Sequence, residues 1–216
     1  MESEITAKNL SLTRAERTRS YREQIEQERA QRIALHQQAI LGMRAMAPGA
    51  PRALNMYADG DSWFDYPLPV LNANDVIVSL VTHGTPQPII LNLAHHGDEA
   101  RDKLGVSQRQ RIIQNLTNPA NGTFEAILFS GGGNDTVGDQ FCLWLHDAIA
   151  GMPPSQAVNV QRLAAVLGVV RSAYEDLIAI RDKVASPMPS ILSRLRLRNP
   201  NRKRRLQHRA MARAIA

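Results

Sequence analysis

The rhythm of apolar and polar positions changes twice along the chain. From Ser11 to Met46 it is rich in Glu, Arg, Gln and Ala. The apolar set there is thin: Ile25, Ile33, Leu35, Ile40 and Leu41, with Gly42 the only glycine or proline. This predicts one or two exposed helices docked along one edge, followed by a linker at "APGAP" (47–51). Residues 1–49 therefore form a helical extension and linker.

Between 50 and 185 short apolar runs alternate with amphipathic ones. "RALNMYA" (52–58), "QPIILNLAHHG" (87–97) and "FEAILFSGGGND" (124–135) read as buried strands that run into polar or glycine-rich turns. "NANDVIVSLVTHG" (72–84) reads as a helix capped by Asn74 or Asp75 and stopped by Gly84. "SQRQRIIQNLTN" (107–118) reads as a helix with Ser107 as N-cap. A further helix is expected to start in "DQFCLWLHDAIAGM" (139–152). A long one is expected over 155–185, with Leu163, Val166, Val170, Tyr174, Leu177 and Ile180 on one face. Strands alternating with helices imply an α/β domain with a parallel sheet.

From 186 onward the periodicity stops. Ten Lys/Arg and no Asp or Glu stand between Lys183 and Ala216. Subtracting those ten from the formal +6 leaves −4 for the rest, so the basic character belongs to one tail, expected to be disordered. Such a tail fits nucleic acid as a partner, because clustered Lys/Arg neutralise phosphates.

Composition narrows the class. The chain has 216 residues, 44% of them hydrophobic, enough for one domain with a real core. No apolar run reaches the ~18–20 residues of a membrane span. The charged start "MESEITAKNLSLTRAERTRS" reads as no secretory signal, so the cytoplasm is the expected compartment. A single cysteine, Cys142, excludes an internal disulfide framework and is expected to pack as a small hydrophobe. No metal site is expected.

Ligands of open α/β sheets bind beyond the C-terminal strand ends. Three turns fall at such ends here: "DGDSW", "HHGD" and "SGGGND". Ester hydrolysis needs a nucleophile, a base and donors for the developing oxyanion. Ser62 is either a nucleophile or a helix N-cap. Gly97 is either an oxyanion donor through its N–H or a turn glycine. Asn134, with Asp135, either donates its side-chain amide or caps the next helix. Asp61 is expected to shape its turn by side-chain to backbone bonds. Trp63, Phe64 and Tyr66 are expected to be local packing, and His83 and His146 surface residues.

These blocks resemble the SGNH (GDSL-type) hydrolases. "GDSW" (60–63) is similar to the family's first block, Gly97 to its second and "GGND" (132–135) to its third. The resemblance covers roughly residues 52–150. It implies a three-layer α/β/α flavodoxin-like fold and cofactor-free hydrolysis of esters or thioesters. Ser62 would be the nucleophile, and the Ser62 N–H, Gly97 N–H and Asn134 amide would form the oxyanion hole. Gly60, Asp61, Gly132 and Asp135 would support them. His95 and His96 lie beside Gly97, but the family does not draw its base from there.

The resemblance stops at the family's fourth block, Asp-x-x-His. The only late histidine is His208, with Arg205 three residues before it. Arginine cannot orient an imidazolium, so the chain is expected to be C-terminally incomplete as this fold and weakly active or inactive. One explanation is a frameshift near 185–193. Read one base forward, Met211-Ala212 forces Trp. Permitted codons then turn Arg194 to Ile215 into "AYDFAIPTGKGVCNIGPWLEPS", with His before it if Ser193 is TCA. The alternatives are a non-catalytic ligand-binding relative that keeps the oxyanion pocket, or a nucleic-acid-associated protein acting through its tail.

Overall fold

The computed structural model describes residues 13–47, 49, 51–67, 75–147, 149–184 and 190–193. The first element is a single helix, α1 (Arg14–Arg44), of 31 residues. Thr13 and Glu16 form a capping box: Thr13 Oγ1 accepts the Glu16 N–H at 3.3 Å, and the Thr13 N–H donates to Glu16 at 2.8 Å. Gly42 does not interrupt the helix, whose outer face is solvated as the thin apolar set predicts. Its inner face is not: Arg29, His36 and Ile40 are buried. The extension is thus packed onto the domain rather than standing apart from it.

Among the described residues four parallel strands follow: β1 (Asn55–Asp59), β2 (Ile89–Asn92), β3 (Ala126–Ser130) and β4 (Ser190–Ser193), in the order β2-β1-β3-β4. Met56 faces Ile90 on one side and Ala126 on the other, and Leu128 faces Ile191. The sheet therefore continues past residue 185, and the expected tail boundary at 186 is corrected: 190–193 pair with β3. The remainder of the tail, with Arg205, His208 and its clustered arginines, lies outside the described residues.

Side-chain alternation sorts β1 and β3 onto two faces. On one face Tyr57, Leu91, Ile127 and Phe129 pack with Ile112 and Leu116 of α3 (Val106–Thr117). Val170, Ala173, Tyr174, Leu177 and Ile180 of α5 (Val160–Val184) complete that layer. On the other face Met56, Ala58, Ala126 and Leu128 pack with Phe64 and with Ile77 of α2 (Val76–His83). Helices thus cover both faces of a parallel sheet, as its strands buried on both sides require. At the open side of β2, Arg29 Nε donates to the Leu93 carbonyl (3.3 Å) and Arg32 Nη1 to that of Ala94 (2.9 Å). Helix α1 so blunts an edge that would otherwise invite pairing.

Several boundaries differ from the sequence reading. Asp75 caps α2 by accepting the Val78 N–H at 2.8 Å, and Gly84 ends it, as expected. Ser107 is not the cap of α3. A 3₁₀ turn (Ala100–Leu104) runs into α3 through Gly105, which leaves Ser107 one residue inside the helix. The helix expected over 139–152 is only a 3₁₀ segment (Asp139–Trp144), because Leu145 leaves it to bridge Val158 in antiparallel fashion. Cys142 is consequently exposed, not packed. Asn159 accepts the Arg162 N–H at 3.0 Å and so starts α5 at Val160 rather than 155.

Candidate functional site

The four described strands run in one direction, so the turns after β1, β2 and β3 emerge at one edge. The chain passes from β1 outward to β2 and back across to β3. That reversal between β1 and β3 marks the crevice where ligands of open α/β sheets bind. The edge carries Ser62, Gly97 and Asn134.

The first turn is locked against β3. Gly60 has φ +150°, and a Cβ there would lie 2.2 Å from Ser130 Oγ and 2.4 Å from the Ser130 carbonyl oxygen. Only glycine lets the chain pass so close. Asp61 is buried. Its N–H donates to Ser130 Oγ (3.1 Å), and its Oδ1 accepts from Ser130 Oγ (2.8 Å) and from the Trp63 N–H (3.1 Å). Asp61 therefore shapes its turn and joins it to β3. Ser62 is half-buried, and its hydroxyl makes no hydrogen bond among the described residues. Phe64 packs under the turn, but Trp63 and Tyr66 are 62% and 52% exposed, which corrects their expected packing role.

The second turn joins the first: the His95 N–H donates to the Gly60 carbonyl at 3.1 Å. Gly97 has φ +83°, with open space where a Cβ would stand, so backbone angle and not crowding selects glycine there. His95 and His96 stack at 4.2 Å, Tyr21 of α1 meets His95 edge-on at 5.8 Å, and His96 Nδ1 lies 3.5 Å from Asp65 Oδ2. Burial, with the neighbouring His96, pushes the His95 pKa down.

The third turn closes the set. Gly132 has φ +101°, and a Cβ would meet Val170 at 3.0 Å. Asn134 and Asp135 lie in α4 (Gly133–Val137), and their side chains bond to other loops. Asn134 Nδ2 donates to the Asp98 carbonyl at 2.9 Å, beside Gly97. One amide proton remains for a ligand. Asp135 is buried and accepts the N–H groups of Ala100 (2.7 Å) and Arg101 (3.0 Å).

Beneath these turns lies a charged cluster that no motif announced. Asp59, the last residue of β1, is fully buried. Its Oδ1 accepts from Lys103 Nζ (2.7 Å) and the Gly60 N–H (2.8 Å), and its Oδ2 from the Tyr57 hydroxyl (3.2 Å). Lys103 also donates to Asp98 Oδ2 (2.9 Å), as does Arg29 (3.0 Å). Burial opposes the charge on Asp59, but Lys103, Arg111 and Arg29 outweigh it and hold its carboxyl below the usual range. Burial, helped by Asp59, pushes the Tyr57 phenol well above its ordinary value. The only sequence signal was an aspartate directly after the run Met56-Tyr57-Ala58.

Among the described residues, His95 and His96 are the histidines of these turns, and neither hydrogen-bonds Ser62. His83 and His146 are exposed. Also among them, no group of three or more His, Cys, Asp or Glu is placed to hold a metal ion. No described helix is long and apolar enough to cross a membrane. No protein-family model matches the chain, and no curated protein or solved structure is detectably similar to it.

Proposed function

We propose that this chain carries an SGNH-type serine hydrolase domain of flavodoxin-like topology. Its reaction is acyl transfer from an ester or thioester to water. One observation carries the reading. The turns holding Ser62, Gly97 and Asn134 are hydrogen-bonded to one another at the single edge where the strand order reverses. The strand order β2-β1-β3-β4, all parallel, is also the start of the flavodoxin-like order.

In this reading Ser62 Oγ bonds to the acyl carbon and gives its proton to solvent. The Ser62 and Gly97 N–H groups and the free Asn134 amide proton hold the oxyanion. The alcohol or thiol leaves with a proton from solvent. Water then attacks the acyl-serine, releasing the acid and restoring Ser62. No Asp-x-x-His occurs in the sequence, so turnover is slow. An oxyanion hole without a complete triad retains about 10³–10⁴-fold acceleration over water.

A fluorophosphonate probe followed by peptide mapping tests this. Selective labelling of Ser62 over the other serines, abolished in Ser62→Ala, is the expected result. Labelling absent, or spread evenly over serines, overturns it. Saturable binding of an acyl anion without labelling would instead favour the ligand-binding relative.

A further inference from the structure

We infer that Lys103 is a positioning residue for the candidate oxyanion site, locking the Ser62, Gly97 and Asn134 turns into one geometry. The inference rests on the hydrolase reading above. Lys103 sits on the 3₁₀ turn Ala100–Leu104, outside every motif. That turn is fastened to the third block, because Asp135 accepts the Ala100 and Arg101 N–H groups. From there Lys103 reaches inward, its side chain 5% exposed.

Its two bonds define the role. Asp59, held at 2.7 Å, uses the same Oδ1 to fix the Gly60 N–H, two residues before Ser62. Asp98, held at 2.9 Å, follows Gly97, and its carbonyl accepts the Asn134 amide at 2.9 Å. One ammonium thus sets the start of the first turn, the residue after the second and the orientation of the third block's donor. An ammonium has three donors on one compact head, which suits it to join two carboxylates from different loops. Buried ion pairs are weak stabilisers, since desolvation offsets most of their attraction. Apolar residues would hold the fold as well; they would not hold three loops at fixed hydrogen-bond distances.

The test separates geometry from stability. In Asp59→Asn/Lys103→Met both charges of the pair are gone, while the introduced amide oxygen still accepts the Gly60 N–H. Asp98→Asn is a second variant, at a partly exposed position, which weakens the Lys103 link and leaves no carboxylate buried alone. Fluorophosphonate labelling of Ser62 is measured beside thermal unfolding and the ¹H–¹⁵N signals of residue 98 and the Asn134 side-chain amide. Expected in either variant is a cooperative transition near that of the parent, a displaced Asn134 side-chain signal, joined in the double variant by a displaced residue 98 signal, and labelling slowed about a hundredfold, the scale of losing one oxyanion donor. A folded variant with unchanged signals and unchanged labelling overturns the inference. If the parent itself does not label, the hydrolase reading fails, and the signals of residue 98 and Asn134 alone decide whether Lys103 sets the loops.

Discussion

Ser130 and Asp61 exchange two hydrogen bonds: the Asp61 N–H donates to Ser130 Oγ, and that hydroxyl donates back to Asp61 Oδ1 at 2.8 Å. The pair welds the end of β3 to the turn that presents Ser62. The weld requires Gly60, whose Cβ would fall on Ser130. Gly60→Ala is expected to destabilise the protein by roughly 3 kcal/mol, combining a strained φ with a backbone clash. Adding Ser130→Ala should not rescue it. The Ser130 carbonyl oxygen and nitrogen would still lie 2.4 and 2.8 Å from the new Cβ. Urea unfolding of the single and double variants checks this, and recovery in the double variant would refute the backbone clash.

Stability should fall on mild acidification. His36 is buried against Phe124, its Nε2 lies 3.2 Å from the Asn121 carbonyl oxygen, and its Nδ1 has no partner. Burial, only partly offset by the Asn121 bond, lowers its pKa from 6.5. The folded state thus binds the His36 proton less readily than the unfolded state. Stability is fully present above about pH 6.5 and is lost as pH falls through that value toward the lower folded pKa. His95, also lowered, adds in the same direction. Melting temperatures between pH 7.5 and 5 should decline, and His36→Phe should flatten the decline. An unchanged slope in that variant would exclude His36 as its source.

Helix α1 should behave as part of the core. Ile40 is fully buried, against Gly122 at the start of β3's approach. Ile40→Ala is expected to cost about 2–5 kcal/mol, as for other buried aliphatic truncations. Arg17 and Arg19, exposed on the solvated first turns, should tolerate alanine within about 0.5 kcal/mol. Chemical denaturation of both distinguishes an integral helix from an appended one, since an appended helix would leave the Ile40 variant unaffected.

The elements were legible where local chemistry decides them. Asp75 and Gly84 bracket α2, and the apolar runs around Met56, Leu91 and Leu128 are strands. The glycine-bearing turns fall together because parallel strands put them there. What escaped the sequence depends on long-range partners. Whether Ser107 caps a helix depends on a 3₁₀ turn occupying the residues before it. Whether 139–152 stays helical depends on Leu145 finding Val158. Lys103 and Asp59 are 44 residues apart and carry no spacing that would pair them. Trp63 looked like packing only because aromatic residues usually are; its exposure is set by what surrounds the turn.

The end of β4 bears on the missing base. Ser193 is the register partner of Ser130, and Ser130 bonds Asp61 in the Ser62 turn. The backbone therefore leaves β4 at the same edge as the candidate nucleophile, beside β3. A base delivered by the segment after β4 would start from that edge. The one-base-forward reading, in which permitted codons give "AYDFAIP" from Arg194 onward, begins at this point. Sequencing the encoding DNA past codon 193 is expected to find that frame open and carrying Asp-x-x-His. Supplying that segment should raise ester hydrolysis by a factor on the order of 10⁴–10⁶, the usual cost of lacking a triad member, and Ser62→Ala should abolish the gain. If that frame closes within a few codons, the tail is genuine. The site then stays at the slow residual rate of an oxyanion hole without a base, and the parent should show none of that gain on short acyl esters.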